Sequence, residues 1–559
     1  MPWFKELLDS ISCLDESKTD EATCEELSKH MPESFTLGEL QTSVQEAVHK
    51  AELSKTKNTR QTKSVLLTIL ACLQQTPKIQ PISDEDQDSA DALALNISQL
   101  IAPIIPPSKD DDTKLNAAFN ENLTESVAQQ VQHSLAVSNL GIKALSALTR
   151  IISTQLHPEV ILTLISFADP SQEWTPTETS ELATEILIAE FSIHHHRKEE
   201  FIPKQILQTY LRPLFSKSKP ASVTSSGRKA AYPEQSQDDG GGIPDDTSAT
   251  KPWKFTDLRA IPIVSWAVTE ADDTLISSSW PLYIPVLLTL TDDNSTPIRA
   301  RGLRILNTFL EKFPTKTLSD TGLNKVFEDA IFPTLTYLPS LTPVDESVQL
   351  LNPAYEALLT LASKTSSPNP LLDKIIRQGI LEAHFHAKEH LRIVQVLNTQ
   401  TVKIVNMMGI HAVKHLKDII PSLVVTALTD PFAPASPELL LSAIKTLQAI
   451  LTNCWPRIPA HQDEILNALV LCWLNVSSSS SSSSSGRHPL PEVEKELITS
   501  SRLLSAVLDS KETSLSQLVS PLIQKEPSLA RLFSASASAE ETSPAPIPIQ
   551  TQKQDSQHP

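Results

Sequence analysis

The most enzyme-like string in the sequence is His386-Ala-Lys-Glu389-His390, a literal H-x-x-E-H. On an unbroken helix, histidines four residues apart share a face and can ligate zinc while the glutamate acts as general base, as in inverted zinc proteases. Helical geometry would permit that arrangement here. No third ligand stands at a recognisable offset, however, and five-residue matches arise readily by chance. A polar helix face, with His386 and His390 at solvent or at a partner surface, explains the string without a metal. Zinc hydrolysis by His386, Glu389 and His390 is therefore kept only as the alternative to a non-enzymatic protein. His194-His195-His196-Arg197 is weaker still, because consecutive residues on a helix point in different directions. Cys454, His461 and Cys472 have spacings that match no zinc finger, and buried apolar cysteines are the expectation. Asp292-Asp293 suits a turn between helices, where Asp side chains make local hydrogen bonds. Neither a G-x-S-x-G nor a phosphate-binding loop occurs. No catalytic residue, cofactor or metal is expected.

Three strings read better as interaction surfaces: Val413-Lys-His-Leu-Lys-Asp-Ile-Ile-Pro421, Asn453-Cys-Trp-Pro-Arg-Ile458 and Arg299-Ala-Arg-Gly-Leu303. Trp and Arg are enriched among the residues that carry binding energy. Lys414, His415, Lys417, Trp455 and Arg457 are the expected partner-binding residues. The competing reading makes Trp455 a core or helix-end plug and Arg457 a cap on helix C-terminal carbonyls. Ser83-Asp-Glu-Asp has the look of an acidic phosphorylation site, although a merely solvated acidic loop is the favoured reading.

The elements that must position these residues follow from composition. The chain has 559 residues but only 11 glycines, where average usage near 7% would give about 39. Dinucleotide folds, P-loop enzymes and tight hairpin proteins need glycines at positive φ, so they are disfavoured. The 41 prolines and the abundance of Leu, Ala, Ser and Thr suit many helices with proline-marked starts. A formal charge of −19 without a basic stripe argues against nucleic acid and anionic membrane. Five scattered cysteines suit reduced thiols, not a disulfide framework. The start, MPWFKELLDSISCLDE, lacks signal-peptide features, and the nearly apolar run Ile465 to Val476 is too short to cross a bilayer. A soluble intracellular protein is expected.

Four segments are expected to be unstructured: the acidic loop 81–91, the linker 216–250, the serine run Ser477–Ser485 within an insert 477–491, and the tail 533–559. Each is too polar to offset its ordering entropy by burial. The division expected is an N-terminal helical region 1–215, the linker, and a repeat domain 251–532.

Between the breaks the pattern is helical. Leu416, Ile419, Ile420, Leu423, Val424, Ala427 and Leu428 keep i, i+3, i+4 spacing, and so do Leu440, Ala443, Ile444, Leu447, Ile450 and Leu451. Ser436 and Pro437 mark the start of the second helix as N-cap and first helical residue. The segment 280–314 repeats the hairpin, with Pro285 in its first helix and Thr296-Pro297 opening its second. Pro285 and Pro333 stand 48 residues apart, and Pro333 and Pro421 stand 88 apart, close to two steps of 44. The skipped first helix falls near Ile376–Ile380, and the next step falls near Ile465. A two-helix period of roughly 40–47 residues is the HEAT/armadillo signature. One hairpin cannot bury both of its apolar faces, so neighbours stack. The expected fold class is all-α: a HEAT/armadillo-like helical-repeat solenoid with disordered inserts and a disordered C-terminal tail. The repeat register of residues 1–215 is not evident.

From residue 253 to 475 the order of particular strings resembles a known family. WPLYIPVLLTLTDDNSTPIRARGLRIL, LSDTGLNKVFEDAIFPTLTYLPSLTP, RQGILEAHFHAKEHLRIV, MMGIHAVKHLKDIIPSLVVTALTDPF and ILTNCWPRI are similar to the Tel-two-interacting protein two (Tti-two) family, in a fungal version. The resemblance implies a helical-repeat subunit of the TTT co-chaperone complex, partnered by Tel-two and Tti-one. It further implies cooperation with the ninety-kilodalton heat-shock chaperone in maturing phosphatidylinositol-three-kinase-related kinases, in telomere and DNA-damage signalling, in cytoplasm and nucleus. The family has no catalytic residues to carry over, so its strings mark fold or interface positions. Another HEAT-type binding adaptor is the alternative that these strings disfavour.

Overall fold

The computed structural model describes residues 2–13, 19–53, 59–80, 84–103, 121–152, 155–193, 198–218, 247–482, 491–508 and 515–533. Among the described residues all regular elements are helical, and the β-type pairing is an isolated parallel bridge between Phe35 and Ile79. The helices group into two compact units. One comprises Met1–Pro333 with Glu356–Ser366, and the other Thr334–Tyr355 with Ser367–Pro559.

The first unit supplies the register that the sequence hid. Leu37–Leu53 pairs with Thr59–Gln74, Asp84–Ile101 with Glu121–Thr149, and Pro158–Phe167 with Thr177–Ile193. First members stack on first members and second on second, so these are stacked helical hairpins. The hairpin expected near residue 285 is present as Asp273–Thr291 and Thr296–Lys312. Asp272 caps the first helix by accepting from the Leu275 amide at 2.8 Å. Gly302 lets the second helix lie against the first, because a Cβ there would come within 2.8 Å of the Leu290 carbonyl carbon. Asp273–Thr291 is long and apolar enough to cross a bilayer by length and composition, yet most of it is buried. Lysines at the ends of two helices tie successive layers together. Lys312 donates to the carbonyls of Val268 and Ala271 at 3.0 and 2.8 Å, and Lys364 donates to that of Glu311 at 2.7 Å. Each satisfies carbonyls that a helix C-terminus leaves free.

The second unit contains three complete hairpins: residues 369–387 with Leu391–Met408, residues 416–429 with Pro437–Asn453, and Gln462–Ser482 with Pro491–Leu508. Their first helices fall where the step of 44 places them. Every residue of the two stripes read from the sequence is buried. Ile420–Val425 is wound as a π-helix, where Pro421 contributes no amide to the α ladder. Ser436 occupies the N-cap and Pro437 the first helical position, but the Ser436 hydroxyl makes no cap bond. The second helices stack on one another through polar links that sequence reasoning missed. Asn398 Nδ2 donates to Ser442 Oγ at 3.1 Å, Thr446 Oγ1 to the Asn398 carbonyl at 3.2 Å, and Gln448 Nε2 to Glu496 Oε2 at 2.8 Å.

Several expectations about unstructured segments are corrected. Residues 84–91 belong to the helix Asp84–Ile101, where carboxylates early in a helix are favoured by its dipole. The helix Gln462–Ser482 runs through the first six serines of the serine run, since propagating an existing helix needs no new nucleus. The edges of the 216–250 stretch are fastened. Ser218 Oγ donates to the Thr250 carbonyl at 2.8 Å, and Phe215 stacks on Trp253 at 5.0 Å. Residues 219–246, 483–490 and 534–559 lie outside the described residues, as do Ser83 and His194–Arg197.

Candidate docking edge

Each second helix in the second unit must reverse into the next hairpin, and two of these reversals are short 3-10 segments. Leu391–Met408 ends at Gly409, whose φ of 54° is a conformation that side-chain-bearing residues rarely adopt. Gly409–His415 follows. Pro437–Asn453 ends at Cys454, and Trp455–His461 follows, containing Pro456 and Pro459. The two reversals are neighbours: Asn453 Nδ2 donates to Asn406 Oδ1 at 2.9 Å, and Cys454 Sγ lies 4.0 Å from the Gly409 carbonyl.

The five expected partner-binding residues separate here. His415 is 1% exposed, and its Nε2 meets Asp373 Oδ1 at 2.8 Å. It is an internal fastener, not a surface contact. Lys414 pairs with the other oxygen of the same carboxylate. Burial pushes Asp373 up, but the hydrogen bonds and charges of Lys414 and His415 outweigh it and hold the carboxyl below its ordinary range. Lys417 and Arg457 are exposed. Trp455 is 54% exposed, so it is not a core plug; Ile458, buried beneath the segment, is. Met407, in the last turn of Leu391–Met408, and Ile410, on the reversal that follows it, join the exposed set. Both lie in MMGIHAV, whose apolar letters gave no sign that they face outward.

The third interaction string is structural. Arg299 is buried, its Nε donating to the Asp293 carbonyl at 2.9 Å and its Nη2 to that of Asp292 at 3.3 Å. Asp293 is itself buried, with Lys251 at 2.7 Å and Lys254 at 3.1 Å, and it accepts from the Ser295 amide at 2.9 Å. Arg301 pairs with Asp169. Burial raises Asp169, but bonds from Ser171 and the Arg301 charge outweigh it and lower its pKa.

The zinc geometry fails at His390. The helix carrying His386 stops at Ala387, and His390 is the N-cap residue of Leu391–Met408. The two imidazoles therefore do not share a helical face. Burial pushes the Cys454 thiol up to about 11 and the Cys472 thiol up to about 12, which disfavours the thiolate that a metal requires. His461 approaches Glu464 at 3.6 Å. No group of three His, Cys, Asp or Glu suited to a metal occurs among the described residues.

The Tti2 family model matches residues 160–435. Over that region, just under half of the chain, the sequence is similar to the Tti2 family. The matched region starts well upstream of the strings that carried the resemblance, and it stops before Trp455. The human TELO2-interacting protein 2 is 22% identical over 37% of this chain and 41% of its own length. The mouse protein of the same name is 22% identical over 38% of this chain and 42% of its own. The chain thus spans about two fifths of the length of the curated relatives it matches. A crystal structure of importin beta superposes over 94% of the chain at a TM-score of 0.35 and 11% identity. The fold assignment rests on the stacked hairpins themselves.

Proposed function

We propose that this chain is a non-enzymatic scaffold subunit that assembles with Tel-two and Tti-one in a TTT-type co-chaperone complex. In this reading the complex works with the ninety-kilodalton heat-shock chaperone to support the maturation and stability of phosphatidylinositol-three-kinase-related kinases, in cytoplasm and nucleus. The observation that carries the reading is the family match, whose curated relatives are named for interaction with TELO2. The exposed reversals of the second unit agree with it, because Trp, Met and Arg are enriched at protein interfaces. Stacked repeats offer long surfaces on which many modest contacts add up. Affinity purification of the tagged full-length chain from native extract, read by mass spectrometry, tests the proposal. Recovery of Tel-two and Tti-one in comparable amounts is expected; recovery of neither contradicts it.

A further inference from the structure

The second unit also exposes apolar residues at its other edge, where each first helix turns into its own second helix. Gln400 Nε2 donates to Asn352 Oδ1 at 3.3 Å, Arg392 pairs with Asp345, and Asn398 Nδ2 donates to Ser442 Oγ at 3.1 Å. These contacts join near-equivalent positions of Val344–Ser363, Leu391–Met408 and Pro437–Asn453. The three helices therefore start side by side, and so do the turns that lead into them. Leu341 in the first turn is 93% exposed, Phe385 at the second 75% and Phe432 in the third 82%, and Leu391 beside the second is exposed as well. Carboxylates stand next to these tips. Glu382 lies three residues before Phe385 and shares its helix face. Glu389 is in the turn beside Leu391, and Asp430 accepts from the Phe432 amide at 2.9 Å. Residues 341–346, 382–392 and 430–438 together hold six Asp or Glu against Lys388 and Arg392, and Arg392 is already held by Asp345. Glu382, Glu389 and Glu438 are exposed and make no ion pair among the described residues.

We propose that these three turns seat a basic amphipathic helix of a partner subunit. Its apolar residues would cover Leu341, Phe385 and Phe432, and its Lys or Arg side chains would face Glu382, Glu389 and Glu438. The inference rests on the proposed function and adds a second contact of stated chemistry. Spacing suits a helix. Stacked helices lie about 8–10 Å apart, so the three tips span about 20 Å, which is about four turns of helix at 1.5 Å per residue. One apolar residue in about every six or seven would then meet successive tips. Charge fixes the occupant. Exposed Phe and Leu in a row gain from any apolar cover, but the carboxylates beside them select a basic one and set its register. A second copy of this chain would bring the same carboxylates against them. Residues 534–559 of this chain hold three carboxylates against Lys553, so they too are a poor match. Nucleic acid and anionic lipid bring phosphates and are repelled.

The test uses the full-length chain and the purified Tel-two–Tti-one pair, with affinity measured at low and at physiological salt and melting temperature followed in parallel. Three variants are compared with wild type: F385A/F432A, E382K/E389K, and E181K/E185K. The last makes the same change of charge at two exposed positions of Thr177–Ile193. Wild type should bind, more weakly as salt rises. F385A/F432A should lose at least fivefold, E382K/E389K should lose at least tenfold with a flatter salt response, and E181K/E185K should match wild type. All should melt within a few degrees of wild type. Should an edge variant melt early, carbodiimide coupling of the wild-type complex decides, because it joins a carboxylate directly to a lysine amine. Links from Glu382, Glu389 or Glu438 to partner lysines are then expected, and their absence overturns the inference. Wild-type binding that both edge variants retain within twofold overturns this inference and leaves the proposed function standing. A loss in F385A/F432A that E382K/E389K does not share overturns the basic occupant. Self-association of the chain that F385A/F432A abolishes would give the edge to a second copy and also overturn it. A wild type that does not bind the pair removes the proposed function, and this inference with it.

Discussion

Arg299-Ala-Arg301 and Trp455-Pro-Arg457 look alike as strings: short, basic, at the start of a helical segment, and close to a proline. The structure puts them to opposite uses. Arg299 turns inward and satisfies the Asp292 and Asp293 carbonyls in the turn that follows the preceding helix, while the Asp293 carboxylate holds two lysines. Trp455 and Arg457 face solvent on a 3-10 segment held by Ile458 from below. The difference lies in the neighbours that the fold brings up, not in the residue types. An arginine near the free carbonyls of an interhelical turn finds acceptors locally, whereas Arg457 on a proline-stiffened reversal makes no ion pair among the described residues.

The sharpest way to break this division between inside and outside is within a single helix. Leu423→Asp should abolish cooperative folding of the second unit, because Leu423 is fully buried and a lone carboxylate there costs about 4 kcal/mol or more. Lys417→Asp, on the exposed side, should shift the melting temperature by a few degrees at most. Equal losses would mean that the register is wrong. In the first unit, Gly302→Ala should cost about 1–3 kcal/mol through overpacking, since the added carbon meets backbone at Leu290. A thermal melt unchanged by that substitution would contradict the helix contact.

Asp373 sharpens the comparison by pH. Its folded-state pKa is lowered, so its contribution to stability is present above the unfolded value and is lost as pH falls through the folded one. Asp373→Asn should therefore melt earlier than wild type at neutral pH. The gap should close as the solution is acidified through and below the ordinary aspartate range, near 3.9. A gap that stays constant with pH would deny Lys414 and His415 their anchoring role. It also follows that reversing Lys414 sets a carboxylate against Asp373 and perturbs the fold, which is why Lys417 and Arg457 are the better surface probes. The smallest effect is expected from removing Ser479–Ser485, which should leave the melting temperature and binding nearly unchanged, because a run of serines has no apolar side chain to bury.

What could be read from the sequence was whatever has a short period. The stripes from Leu416 to Leu428 and from Leu440 to Leu451 repeat every three or four residues, and the hairpins repeat at a nearly constant proline spacing. The N-terminal hairpins were hidden because their connections vary in length and few prolines mark equivalent positions. The candidate edge was half legible. Trp455, Arg457 and Lys417 were named from residue type alone, while His415 was misplaced because its partner, Asp373, lies 42 residues away in sequence. The same kind of distant contact limits what fragments can do. Arg259 bonds Thr163 at 3.0 Å and Arg301 pairs with Asp169. A piece beginning at residue 253 strips Arg301 of Asp169 and leaves Arg259 only Asp257 of its acidic partners, and the full chain is the proper object for binding experiments.

The central claim is that this chain works by presenting an outward edge on an inwardly fastened helical scaffold. It is tested most directly by measuring melting temperature and affinity for Tti-one on the same two full-length variants, Arg299→Glu and Arg457→Glu. The account predicts a crossed result. Arg299→Glu should lower the melting temperature markedly, by burying a carboxylate against the Asp292 and Asp293 carbonyls. Arg457→Glu should melt like wild type and bind several-fold more weakly. Two variants that melt alike, or an Arg457→Glu protein that binds as tightly as wild type, would contradict it.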